Sequence, residues 1–238
     1  MPQPFLSVVI PAFNEEPRIL DTLSQVVEYL TARDYGWEVL VADDGSLDRT
    51  AQLVDRMAME HPNVRVLRLP HRGKGWAVKN GMLVAQGEYR LLCDADLSVP
   101  IAQVERLLPP LGPGADVVLG SREAPGAARF DEPARRHLMG RVFNLLVARL
   151  AVPGLADTQC GFKCFRGEAA QDLFRDQTMA GFAFDVELLY LARKRGLTFA
   201  EVGVDWYYRS HSKVRPVRDS LAMSLDLLKI RWRHRHTV

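Results

Sequence analysis

Cysteine is scarce in this 238-residue sequence, with three residues at Cys93, Cys160 and Cys164. An odd count excludes a fold built only from paired disulfides, and Cys160-x-x-x-Cys164 has no further Cys or His nearby to complete a zinc site. No apolar run approaches the ~18 residues that a spanning helix needs, so membrane work would require lying on the surface. Met1 to Ser7 lacks a basic stretch followed by an apolar one, and no signal peptide is expected. Charge of one sign is missing too: 31 Lys and Arg against 29 Asp and Glu give a net charge of +2, with no case for nucleic acid as a partner. Both common phosphate loops are absent. Pro11-Ala12-Phe13-Asn14-Glu15-Glu16 stands where G-x-G-x-x-G would follow the first strand, and Gly73-Lys74-Gly75 lacks the loop of a Walker A sequence. His71, His137 and His211 stand apart, and no Ser-His-Asp order points to acyl transfer.

What is present describes an ordered protein. With 47% hydrophobic and 25% charged residues, the chain can bury one sizeable core. Leu6–Pro11, Trp37–Ala42, Val64–Leu69, Glu88–Cys93 and Asp116–Gly120 read as short apolar strands. Between them, Pro17–Leu30, Asp48–Met59, Gly75–Ala85 and Ile101–Leu108 read as helices. Alternation of this kind predicts an α/β fold, a mostly parallel sheet covered by helices on both faces, with ligands bound beyond the carboxyl ends of the strands. From Arg122 to Arg136 the composition shifts to Pro, Gly, Ala and Arg, as in a loop, and helices are expected over Leu138–Leu150 and Gly181–Arg195. Glu201–Tyr208 reads as an outer strand. A last helix, within Asp219–Arg231, leads into a basic tail; Leu221, Leu225, Leu228 and Trp232 share a stripe that fits either the core or a lipid surface. One domain over 1–238 is expected: a ligand-binding half to residue 120, a second half over 121–214, and the amphipathic helix over 215–238.

The acids fall where such a sheet binds ligands. Asp43 and Asp44 follow the second strand, and Asp94-Ala95-Asp96 follows the fourth. Two carboxylates at the edge of a core call for a partner, and hard cations such as Mg²⁺ or Mn²⁺ take oxygen ligands and bridge to phosphates. Helix caps and turns use the same residues and are the competing reading. Arg72, Lys74 and Lys79 surround two glycines before a helix start, a second hint of phosphate. A third is the group Arg122, Arg129, Arg135, Arg136 and Arg141; Glu123, Asp131 or Glu132 would neutralise one or two and leave a surplus. Asp157 to Lys163 is dense in polar groups and fits either a capped turn or part of a site. Asp185 and Glu187 lie two apart, so on a helix one would reach the site while the other bonds within the scaffold.

Together these segments resemble the family-2 inverting glycosyltransferases of GT-A fold, and within them the dolichyl- and polyprenyl-phosphate glucosyl- and mannosyltransferases. The match runs through Ser7–Glu15, Asp43-Asp44-Gly45-Ser46, Gly73-Lys74-Gly75, Asp94-Ala95-Asp96, Gly120-Ser121-Arg122, Asp157–Lys163 and Phe184-Asp185-Val186-Glu187. The resemblance implies that Pro11, Phe13, Glu15 and Asp44 surround the nucleoside of a nucleotide sugar. It implies that Asp94 and Asp96 meet the diphosphate and a Mg²⁺ or Mn²⁺ ion, with Lys74 beside them. Arg122 and Arg136 would meet the acceptor phosphate. The Asp-Thr-Gln-Cys-Gly-Phe-Lys segment is similar to that of glucosyltransferases using UDP-glucose; mannosyl transfer from GDP-mannose, or transfer to a soluble or glycan hydroxyl, is the alternative. Nucleotidyl transfer and simple nucleotide-sugar binding also remain open. A phosphate acceptor is already anionic, whereas a hydroxyl acceptor needs a base, for which Asp185 is the candidate. Where many members carry a Gln two residues after the second acid, this chain has Ser98, and it lacks the membrane span of many dolichyl-phosphate members. A cytoplasmic enzyme, peripheral at the cytoplasmic face of a membrane, is the expectation.

Overall fold

Strand burial on two sides organises this chain. In a computed structural model, which describes residues 3–133, 147, 152–209 and 226–235, strand β1 (Leu6–Ala12) turns Val8 and Ile10 to one face of a sheet and Val9 to the other. All three are fully buried, which is why the middle of the strand is apolar on both faces. β1 pairs in parallel with β2 (Trp37–Asp43) and β4 (Tyr89–Cys93), and β2 pairs in parallel with β3 (Val64–Arg68). Helices α1 (Ile19–Thr31), α2 (Thr50–Glu60) and α3 (Lys74–Val84) make the crossovers. The sheet order is β3-β2-β1-β4-β7-β5-β8, where β5 is Val117–Ser121, β7 is Phe162–Arg166 and β8 is Phe199–Gly203. α1, α2 and a 3₁₀ turn over Ile101–Arg106 cover one face. α3, α4 (Gly167–Asp176) and α5 (Phe184–Lys194) cover the other, as expected.

Two expectations need correction. The segment ending at Lys163 is no mere turn: from Phe162 it becomes β7, antiparallel to both β4 and β5 near the middle of the sheet. A lysine inside Phe162-Lys163-Cys164-Phe165 hides the strand from any hydrophobic pattern, yet Lys163 is only 1% exposed. The outer strand expected over Glu201–Tyr208 is two strands. β8 joins the main sheet beside β5, while β9 (Asp205–Tyr207) pairs with β6 (Ala128–Phe130) in a separate ribbon. The change of sheet comes at Val204, whose N–H donates to the Ser121 carbonyl at 3.0 Å. Residues 226–233 are helical as expected, and of the two readings left open for the stripe Leu228 and Trp232 take the outward one, 58% and 66% exposed, while Leu227, Ile230 and His234 dock on the core. The other two stripe residues, Leu221 and Leu225, lie outside the described residues. So do Arg135, Arg136, His137, Arg141, His211 and all of the helix expected over 138–150 except residue 147.

Candidate active site

The site forms where β1, β2 and β4 end. Asp44 follows β2, and the chain turns back at Gly45, whose φ of 72° suits glycine; a Cβ there would meet the His71 backbone nitrogen at 2.8 Å. Into this approach the Asp44 carboxylate accepts the N–H groups of Arg72 at 2.9 Å and Gly73 at 2.8 Å. It also lies 2.7 Å from His71 Nδ1. The His71 ring is thereby held flat against Phe13, centroids 4.1 Å apart and planes 16° from parallel. Asn14, at φ 50°, completes this rim: its N–H donates to Ser46 Oγ and its side-chain oxygen accepts Leu47 N–H, both at 2.8 Å.

The acid pair sits beyond β4. Thr22 of α1 donates its hydroxyl to the Ala95 carbonyl at 2.6 Å, pinning the middle of Asp94-Ala95-Asp96 from beneath. Asp96 accepts Ser98 N–H at 2.9 Å across Leu97, which holds φ 45°, a strained conformation for a leucine. Asp94 Oδ1 is 2.6 Å from Lys74 Nζ at the first position of α3. Burial works against the Lys74 ammonium, but Asp94, Asp185 and Asp96 together outweigh it and raise its pKa.

A cavity of about 390 Å³ joins the two regions. Its wall brings together every nucleotide- and metal-associated residue expected from sequence: Pro11, Phe13, Glu15, Asp44, Lys74, Asp94 and Asp96. His71, Arg18, Gly181 and Phe182 also line it and were not foreseen. His71 carried a signal in its place just before Arg72-Gly73-Lys74, whereas Phe182 is brought there only by the loop ahead of α5.

Other expected residues are placed elsewhere. Among the described residues, the cavity wall does not include Arg122 or Asp185. Arg122 grips the buried Asp157 with two parallel bonds, Nε to Oδ2 at 2.7 Å and Nη2 to Oδ1 at 2.8 Å. Burial alone would push the Asp157 carboxyl up; the Arg122 charge and hydrogen bonds overcome it and hold that carboxyl well below the usual range. Arg129 is neutralised by Glu123 and Glu132, as the surplus argument allowed. Asp185, in the first turn of α5, accepts a bond from Lys163 Nζ at 2.6 Å. Burial raises its pKa, against the pull of Lys163 and Lys74. Glu187 faces away into the scaffold, as two-residue spacing on a helix predicts. The three cysteines are buried thiols; burial pushes Cys160 and Cys164 up to about 12, which removes them from nucleophilic chemistry.

A mononucleotide-sized cleft at the strand ends, with an acid pair at one end and a ring at the other, is the arrangement to compare with known proteins. The family model described as glycosyl transferase family 2 matches residues 7–174, which hold all of the cavity wall but Gly181 and Phe182. The chain belongs to that family. It is a glycosyltransferase of GT-A fold. A dolichyl-phosphate β-glucosyltransferase from Trichomonas vaginalis is 38% identical over 95% of this chain and 70% of its own length. The enzymes of that name from Dictyostelium discoideum and human are each 36% identical, over 97% and 96% of this chain and 75% of their own lengths. Among solved structures, glucosyl-3-phosphoglycerate synthase from Mycobacterium tuberculosis in complex with UDP superposes with a TM-score of 0.66 at 25% identity, covering 95% of this chain and 78% of that one.

Proposed function

We propose that this glycosyltransferase moves glucose from UDP-glucose to a polyprenyl phosphate of the dolichyl type, inverting the anomeric centre to a β-product. The names of the relatives support the sugar and the lipid. The observation that carries the reading is the 36% to 38% identity to dolichyl-phosphate β-glucosyltransferases over nearly the whole chain. Asp185, the carboxylate that a hydroxyl acceptor would need as a base, is bonded to Lys163. A phosphate acceptor does not need one, because its oxygen is anionic near neutral pH. That oxygen attacks C1 of the glucose, the C1–O bond to the diphosphate breaks, and UDP leaves with the electron pair.

Pro11, Phe13, Glu15, Asp44 and His71 would hold the nucleoside, with the Phe13–His71 stack offering a flat surface to the base. Lys74 would meet the diphosphate. Among the described residues no three His, Cys, Asp or Glu side chains gather to hold a metal ion. Mg²⁺ or Mn²⁺ is commonly held by one or two carboxylates and the substrate's own phosphates. Asp94 and Asp96 are the two carboxylates here, both on the wall. Bound there, the ion would offset charge growing on the departing diphosphate. Residues 1–120 form the donor half in this reading and 121–214 the acceptor half, where Arg136 is assigned to the acceptor phosphate and Arg122 to supporting it.

No described helix is long and apolar enough to cross a membrane. The exposed Leu228 and Trp232, with Lys229, Arg231, Arg233 and Arg235 around them, provide peripheral contact with an anionic surface, which we assign to the cytoplasmic face. The test is a panel of radiolabelled UDP- and GDP-sugars, each with and without polyprenyl phosphate. UDP-glucose with lipid should give label that extracts into organic solvent and is lost in EDTA. Label that stays in water, or that comes only from GDP-mannose, would refute the lipid or the glucose respectively.

A further inference from the structure

Glu187, outside the cavity wall, is a heavily bonded carboxylate among the described residues. It is 0% exposed, and its oxygens accept the Thr178 N–H at 3.0 Å, the Thr178 hydroxyl at 2.6 Å and the Met179 N–H at 2.8 Å. His234 Nε2 lies 2.7 Å away, brought in from the C-terminal helix. Two outer bonds hold the same helix end: Lys194 Nζ donates to the His234 carbonyl at 2.7 Å, and Arg233 donates to Thr178 Oγ1 at 3.1 Å. Glu187 therefore ties three pieces together: α5, the C-terminal helix and the connection between α4 and α5.

That connection leans on the start of α3. The Ala180 carbonyl accepts Trp76 N–H at 3.1 Å, and Gln177 Nε2 donates to the Gly75 carbonyl at 2.8 Å. The approach is close enough to require glycine, since a Cβ on Gly75 would meet the Met179 carbonyl at 2.6 Å and one on Gly73 the Ala180 carbonyl at 2.7 Å. Between those glycines stands Lys74, and directly after Ala180 come Gly181 and Phe182 of the cavity wall. An unbroken series of bonded contacts thus runs from His234 through Glu187 and Thr178–Ala180 to the donor pocket.

We propose that the C-terminal helix is a strut for the donor pocket, with His234 and Glu187 as positioning residues that set the Thr178–Phe182 wall and the α3 start behind Lys74. Neither residue touches the cavity. The proposal rests on the reading of that cavity as the nucleotide-sugar site.

The test titrates UDP, with Mn²⁺ present, into the full-length chain and its variants by calorimetry, alongside donor and acceptor KM. His234→Ala should weaken UDP and raise donor KM by about fivefold, the low end of couplings between separate sites, with acceptor KM unchanged. His234→Gln, whose amide can donate to Glu187, should recover most of the loss. Mere loss of folded protein would lower the number of binding sites and leave Kd as it was. Lys194→Met, which loosens the helix end from outside the buried bond, should shift Kd the same way by about twofold and serves if His234→Ala does not fold. A folded His234→Ala protein with wild-type Kd, or wild-type Kd in Lys194→Met where His234→Ala fails, overturns the proposal. If the wild type binds GDP and not UDP, the donor reading falls, and the same shift is then required with GDP.

Discussion

Gly161 holds no side chain because Asp94 occupies its space. An ideal Cβ there would overlap the Asp94 carboxylate, so the glycine ahead of β7 decides where that carboxylate can lie. Gly161→Ala should keep the fold, since only a side chain at the edge of an open cavity must move. Turnover should fall by about 100-fold, equivalent to ~2.7 kcal/mol of lost transition-state stabilisation. Steady-state kinetics beside a thermal melt checks this, and unchanged kcat/KM in a folded variant would show that Asp94 has no fixed place to lose. At this scale the sequence was legible for residues whose neighbours in the chain share the site: Pro11, Phe13 and Glu15 along one loop, Asp94 and Asp96 along another. Gly161 lay in a segment singled out beforehand, but its purpose depends on a side chain 67 positions earlier, the difference between 161 and 94.

Elements were readable in proportion to how well their pattern survived their chemistry. β1, β2 and β4 keep apolar stretches at Val8–Ile10, Val39–Ala42 and Leu91–Cys93 because both faces are covered, and they fall within a residue or two of where the pattern puts them. β7 does not, because its second position carries Lys163, paired with Asp185. The stretch ahead of β7 is anchored by another ion pair, Arg122 at the end of β5 with Asp157, whose backbone N–H is in turn held by Glu201 of β8 at 2.9 Å. The Asp157 carboxyl is depressed when folded, so its contribution to stability is full above the unfolded pKa of about 3.9 and is lost as pH falls toward the lower folded value. Asp157→Asn should therefore cost about 3 kcal/mol at pH 7, by leaving a guanidinium buried beside a neutral amide, and less at pH 3 than at pH 7. Urea midpoints of both proteins across pH 3 to 7 measure the difference. A gap that does not narrow toward acid would mean that the pair contributes nothing through charge.

For the whole molecule, the question is how a chain without a described spanning helix meets a lipid substrate. The C-terminal helix divides its surface: Leu227, Ile230 and His234 face the protein, while Leu228 and Trp232 face out among four basic residues. Replacing both outward residues, Leu228→Ser with Trp232→Ser, leaves the docked face intact. The double variant should float less with anionic vesicles than the wild type, and added salt should weaken wild-type flotation. Equal flotation of the two proteins would leave attachment to the lipid acceptor alone. The sequence foretold an amphipathic helix and left its stripe to either the core or a lipid surface; Leu228 and Trp232, the two described members, face out. Leu221, Leu225, Leu228 and Trp232 satisfy helical spacing as well as the buried residues do, and only the position of Glu187 determines which side His234 turns inward.

On the proposed peripheral contact with lipid, the strut would also act as a grip that depends on cargo. Coupling between two binding events is reciprocal: whatever factor the seated helix adds to nucleotide affinity, bound nucleotide adds to the seating of the helix. With His234 on Glu187, a donor that settles the Thr178–Phe182 wall also fixes the helix that presents Leu228 and Trp232. A charged enzyme would then stay longer on the bilayer than a spent one, and UDP release would loosen its hold. Turnover itself would pace departure from the surface, carrying the enzyme from one patch of acceptor to the next.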